Sequence, residues 1–109
     1  MKSMTKTIFF TLFLFFCSSL YAQTTVYRVK FDEEISLSLV PYLKRALALA
    51  EKENADALLV EINTFGGRVD AATQLKDLLL DAKIPTIAFV NKRAVSAGAL
   101  ITLSCKNIA

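Results

Sequence analysis

The stretch Ala57-Leu-Leu-Val-Glu-Ile-Asn-Thr-Phe-Gly-Gly-Arg-Val-Asp-Ala-Ala72 changes its hydrophobic period half-way along. Ala57 to Asn63 is short and mostly apolar, the composition of a strand buried on both faces of a parallel sheet. Gly66-Gly67 ends that run. From Val69 to Lys83 the apolar residues recur at helical spacing. Ala72, Leu75, Leu79 and Ala82 fall on one face, with Lys76, Asp77 and Asp81 largely on the other. Strand, small-residue turn and helix, in that order, make most of a βαβ unit.

The same alternation extends in both directions. Upstream, Val26-Tyr-Arg-Val-Lys-Phe31 alternates as a half-buried strand does, and Asp32-Glu33-Glu34 is a polar loop. Ser38 is positioned as a helix N-cap, and Pro41 falls in the first turn, where a missing N–H costs little. The segment to Lys52 then sets Val40, Leu43, Leu47 and Ala50 on one helical face. Downstream, Pro85 punctuates and Thr86-Ile-Ala-Phe-Val90 reads as another buried strand. Asn91 to Ala94 reads as a connector. A third helix is expected from near Ser96 through Leu100, Leu103 and Ser104, and Lys106 to Ala109 resembles the entry to a further strand. The expected fold is an α/β series of repeated β-α units with right-handed crossovers, incomplete at the C-terminus.

The first 22 residues are of another kind. Met1-Lys-Ser-Met-Thr-Lys6 is basic, Thr7 to Leu20 is almost wholly apolar with five Phe, and Ala22 offers a small residue for cleavage. This is the pattern of a secretory signal peptide over 1–22, leaving 23–109 as the mature domain. The apolar core falls short of the roughly 20 residues that span a bilayer. Lys2 and Lys6 are two of the 13 basic residues, so their removal leaves 11 against 10 acidic ones. The formal charge falls from +3 to +1, and no basic surface for nucleic acid is indicated. Cys17 departs with the leader, leaving Cys105 on an apolar pattern as a buried structural thiol that has no partner for a disulfide. The chain has no histidine. A Ser-His-Asp triad within these residues is thereby excluded, and neither a metal nor a cofactor is expected.

Two short segments carry chemistry. Consecutive glycines after a buried strand let a ligand approach the backbone, and the helix behind them directs free N–H groups and a positive dipole end at the turn. Gly66-Gly67 matches neither a dinucleotide fingerprint nor a phosphate loop. Its plain reading is an ordinary strand-to-helix turn. Ser96 follows Gly66 by thirty positions, its hydroxyl left uncrowded by Ala94, Ala97 and Gly98. The plain reading of Ser96 is a helix cap. Taken together, the segments offer oxyanion donors and a hydroxyl nucleophile, the pair that acyl transfer requires.

Ile62-Asn-Thr-Phe-Gly-Gly-Arg-Val-Asp-Ala-Ala72 and Ile84-Pro-Thr-Ile-Ala-Phe-Val-Asn-Lys-Arg-Ala-Val-Ser-Ala-Gly-Ala-Leu-Ile101, so spaced, resemble the NfeD-type membrane-associated serine proteases of the ClpP/crotonase fold. The resemblance runs from Val26 to Ala109. It implies a Ser-Lys endopeptidase acting on hydrophobic or membrane-associated protein substrates, with Ser96 as nucleophile and Gly66 and Gly67 in the oxyanion hole. It also implies a homo-oligomer on the extracytoplasmic (periplasmic) face of a membrane, attached through a C-terminal part. Many relatives have proline where this chain has Phe65. The family's general-base lysine falls beyond Ala109, so residues 1–109 alone are expected to be inactive. Two other functions fit the same motifs. A crotonase-type acyl-CoA enzyme uses the same paired N–H groups, but it usually carries glycine in place of Ser96 and works without export. A non-catalytic scaffold for membrane-protein assembly needs no lysine.

Overall fold

The computed structural model describes residues 5–8, 10–12 and 23–109. Residues 5–8 and 10–12 are helical; the expected cleavage point after Ala22, like Cys17, lies outside the described residues. Among the described residues no helix is long and apolar enough to cross a membrane.

The domain alternates strictly: β1 (Val26–Phe31), α1 (Leu39–Lys52), β2 (Ala57–Thr64), α2 (Val69–Leu80), β3 (Thr86–Ala94), α3 (Ala97–Ser104) and β4 (Asn107–Ile108). The strands form one parallel sheet in chain order, β1-β2-β3-β4. Successive right-handed crossovers that all step in one direction put α1 and α2, and α3 after them, on the same side of the sheet. The helices accordingly pack in sequence, α1 on α2 and α2 on α3.

The core lies between these two layers. Val29 and Phe31 of β1, Leu58, Val60 and Ile62 of β2 and Ala88 of β3 point into it. They meet Leu43 and Leu47 of α1, Leu75 and Leu79 of α2, and Ile101 of α3. Burying each large aliphatic side chain contributes about 1.5–3 kcal/mol, so the apolar stripes of the helices dominate the packing. Val40, Leu43, Leu47 and Ala50 are the buried face of α1, as their spacing requires. Asn54 adopts φ 53° just past that helix, a left-handed conformation that asparagine tolerates.

None of α1, α2 and α3 lies on the opposite face of the sheet. Glu61, at 9% exposure, sits near its middle. It accepts a hydrogen bond from Asn91 Nδ2 at 3.0 Å and lies 3.6 Å from the Arg28 guanidinium. Half-buried Leu59 and Ile87 pair side by side next to it, and Phe89, opposite Glu61 on β3, is exposed.

Three local details differ from the sequence expectations. Ser38 occupies the N-cap of α1, but its backbone is already helical (φ −64°, ψ −24°) and its side chain makes no capping bond. Its hydroxyl pairs instead with that of Ser36 at 2.7 Å. Asn91 to Ala94 is not a connector: β3 continues through it after an irregularity in which Ile62 pairs with Val90 but Thr64 pairs with Ala94. The strand absorbs the extra residues with Lys92 at φ 83°, as bulges do beside functional sites. In α3 the buried face is Ala97, Gly98, Ile101, Thr102 and Ser104, whereas Leu100 and Leu103 point outward.

Candidate active site

The β2–α2 turn and the β3–α3 turn meet at the C-terminal ends of neighbouring strands, where open α/β sheets bind their ligands. The irregularity in β3 restores pairing at Thr64 and Ala94, and the Val95 N–H then donates to the Thr64 carbonyl at 3.1 Å. Gly66 and Ser96 are thereby brought into contact. A Cβ placed on Gly66 would lie 3.0 Å from Ser96 Cβ and 3.5 Å from its Oγ. Gly66 also has φ 123°, which disfavours any other residue there.

Gly67 is glycine for a separate reason: a Cβ on it would collide with the Ile35 backbone. Ile35 forms a parallel bridge with this residue, donating its N–H to the Gly66 carbonyl at 2.9 Å and accepting the Arg68 N–H at 2.9 Å. The turn is therefore clamped from both sides. The two glycine N–H groups are not equivalent. That of Gly66 donates to Thr64 Oγ1 at 3.0 Å, whereas that of Gly67 has no partner among the described residues.

Ser96 is exposed and has φ 54°, ψ −115°, outside the regions an L-residue readily occupies. It stands at the N-cap of α3, yet its hydroxyl makes no capping bond, so the plain reading of a helix-capping serine fails. Its carbonyl accepts the Ala99 N–H at 2.9 Å, which begins the helix immediately behind it. The Ala97 N–H has no partner among the described residues. Sequence reasoning missed Ala97, because an alanine carries no signal; only its place after Ser96, on the first helical residue, marks it.

A cleft of about 470 Å³ opens beside this arrangement. It is lined by Asp32, Glu33 and Glu34 of the β1–α1 loop, by Asn63 to Gly67, and by Arg93. Phe65 projects into solvent at 72% exposure, with the Arg93 guanidinium stacked 4.3 Å from its ring centroid. Arg93 thus covers Phe65 and is not directed at Ser96. Asn63 Nδ2 anchors Asp32 at 2.8 Å. At the start of α2, Arg68 donates to both oxygens of Asp70, at 3.0 and 2.7 Å. Those hydrogen bonds hold the Asp70 carboxyl below its ordinary range and raise the guanidinium. Among the described residues no lysine, carboxylate or other side chain hydrogen-bonds to Ser96 Oγ, and no cluster of metal-ligating side chains occurs.

The family model of the NfeD1b N-terminal domain matches residues 25–109. This chain belongs to that family. It is 40% identical over 84 residues to membrane protein NfeD1b of Bacillus subtilis (strain 168), an overlap of 77% of this chain and 19% of that protein. Among solved structures it resembles the 1510-N membrane protease specific for a stomatin homolog from Pyrococcus horikoshii. The TM-score is 0.72 at 32% identity, over 80% of this chain and 45% of that one. ClpP1 from Listeria monocytogenes matches with a TM-score of 0.68 at 27% identity, over 72% of this chain and 46% of that one. The fold is ClpP-like, as the two motifs imply. The chain spans about a fifth of the curated relative's length and less than half of each solved chain.

Proposed function

We propose that this NfeD1b-type domain supplies the nucleophile and oxyanion donors of a serine endopeptidase. The observation that carries the proposal is Ser96, held at φ 54° with a free hydroxyl against the Gly66-Gly67 turn. Strained backbone of this kind costs on the order of 1–3 kcal/mol and clusters at catalytic positions. In the proposed reaction Ser96 Oγ attacks the scissile carbonyl carbon and passes its proton to a general base. The Gly67 N–H receives the developing oxyanion, and the Ala97 N–H is the second donor. Neither needs to give up an internal partner, whereas the Gly66 N–H would have to leave Thr64 Oγ1. Gly66 contributes to the oxyanion hole by letting the turn lie directly against Ser96. Collapse of the tetrahedral intermediate then expels the amine, which takes that proton from the base. Water, giving a proton to the same base, releases the acyl group as a carboxylic acid, and the proton returns to Ser96 Oγ.

The general base is assigned to a lysine supplied elsewhere in the full-length protein, giving a Ser-Lys dyad, since none of the described lysines contacts Ser96. The substrate class is a hydrophobic or membrane-associated polypeptide, for which exposed Phe65 is an apolar wall of the cleft. The solved relative from Pyrococcus horikoshii is described as specific for a stomatin homolog, which supports a protein substrate. Export through residues 1–22, an extracytoplasmic location, membrane attachment through another part of the protein and homo-oligomerisation complete the reading.

Cleavage of a hydrophobic peptide by the purified full-length protein tests it. Ser96→Ala is expected to abolish turnover without altering the circular dichroism spectrum, because alanine removes the hydroxyl and no capping bond is lost. Undiminished cleavage by that variant would reject the assignment.

A further inference from the structure

We infer that Thr64 is a positioning residue that sets the distance between the oxyanion turn and the nucleophile. The inference rests on the proposed role of Ser96. Thr64 is the last residue of β2 and is 2% exposed, so its side chain is almost wholly withdrawn from solvent at the edge of the cleft. Each of its groups is committed to one of the two turns. The hydroxyl accepts the Gly66 N–H at 3.0 Å and donates to the Gly66 carbonyl at 3.2 Å, closing the glycine turn back onto its own strand. The backbone carbonyl accepts the Val95 N–H at 3.1 Å, fixing the residue that precedes Ser96. The methyl group faces Gly98, where an added Cβ would stand only 2.5 Å from Thr64 Cγ2. The start of α3 therefore rests on that methyl.

These contacts make Thr64 the junction of the site. The hydroxyl holds the turn so that the Gly66 N–H is bonded within it, while the Gly67 N–H has no partner among the described residues. The carbonyl and methyl place Val95 and Gly98, which bracket Ser96 and Ala97. Serine would keep the hydroxyl bonds and lose the support under α3. Valine would keep the shape and leave the Gly66 N–H without an acceptor in a buried position, which favours a re-aimed turn.

The test is the rate at which a fluorophosphonate probe labels Ser96 in the full-length protein at saturating probe, well below the melting temperature of every variant. A misplacement of about 1 Å between reacting groups costs on the order of 100-fold, so Thr64→Val is expected to slow labelling by about 10- to 100-fold. Thr64→Ser, which restores the hydroxyl, is expected to label much closer to the wild-type rate. A purely structural role would instead make labelling follow thermal stability in both variants. The contact with Gly98 gives a second arm that does not need the valine variant to fold. Gly98→Ala is expected to slow labelling, and adding Thr64→Ser is expected to recover most of the loss by vacating the methyl's place. Ser96→Ala is the control: labelling of that variant at the wild-type rate would reject the nucleophile itself. Labelling that depends on Ser96 but is unchanged by Thr64→Val, or is not recovered in the Gly98→Ala double variant, would overturn the positioning role alone.

Discussion

The glycine and serine positions separate by what each atom is required to do. Gly66 is excluded from substitution by φ 123° and by Ser96, whereas Gly67 is excluded by the Ile35 backbone. Gly67→Ala therefore forces the turn away from Ile35 and misdirects its own N–H. Loss of one oxyanion donor costs on the order of 10²–10³ in rate, so steady-state kinetics of the full-length variant should show residual activity at that level, with a lowered Tm. Cys105 illustrates the opposite case, a reactive atom made inert. It is buried, bonds weakly to the Ile101 carbonyl at 3.7 Å, and burial pushes its thiol from 9.0 up to about 11. At about pH 8 a thiol-specific reagent should react with it rapidly only after unfolding. The folded pKa is raised, so folding favours the protonated thiol. Its contribution to stability is complete below pH 9 and is lost as the pH rises towards about 11. Chemical denaturation across that range should show a shallower loss of stability in Cys105→Ala than in the parent chain.

Among the elements, α3 shows where sequence reading stops. The strands and the first two helices are legible because their apolar residues recur at one period on one face, as Val40, Leu43, Leu47 and Ala50 do in α1. In α3 nearly every residue is apolar or small, so periodicity does not distinguish Ile101, fully buried, from Leu103, 74% exposed. Tertiary packing decides: Gly98 lies against Thr64 of β2 and Ile101 joins the buried core, which leaves Leu103 outward. Ile101→Ala should cost about 2–5 kcal/mol in urea denaturation of the full-length protein. Leu103→Ser should stay within about 0.5 kcal/mol of the parent. Equal losses would show that the helix is rotated from this arrangement. The site itself was half legible. Gly66, Gly67 and Ser96 stand out by residue type, but the β3 irregularity and the Thr64 contacts arise from strand register, which no local pattern in Asn91 to Ala94 announces.

At the level of the whole molecule, a sheet in chain order with α1, α2 and α3 on one side leaves Leu59, Ile87 and Phe89 on a face that none of these three helices covers. A domain of under a hundred residues buries only about 60–65% of its chain surface, and the open face reduces the gain further. Residues 23–109 in isolation are expected to melt broadly or to associate. A sharp, concentration-independent melt as a monomer would contradict that expectation. The solved relatives, of which this chain covers under half, share the ClpP-like arrangement. In the proposed reaction the β2–α2 and β3–α3 turns act together, with the strained Ser96 on one side and the unpartnered Gly67 and Ala97 N–H groups on the other. The most direct measurement is peptide mapping by mass spectrometry of the full-length protein after reaction with a fluorophosphonate. The expected result is a single phosphonyl adduct on Ser96, abolished in Ser96→Ala. An adduct on another serine, or labelling that persists in Ser96→Ala, would contradict it.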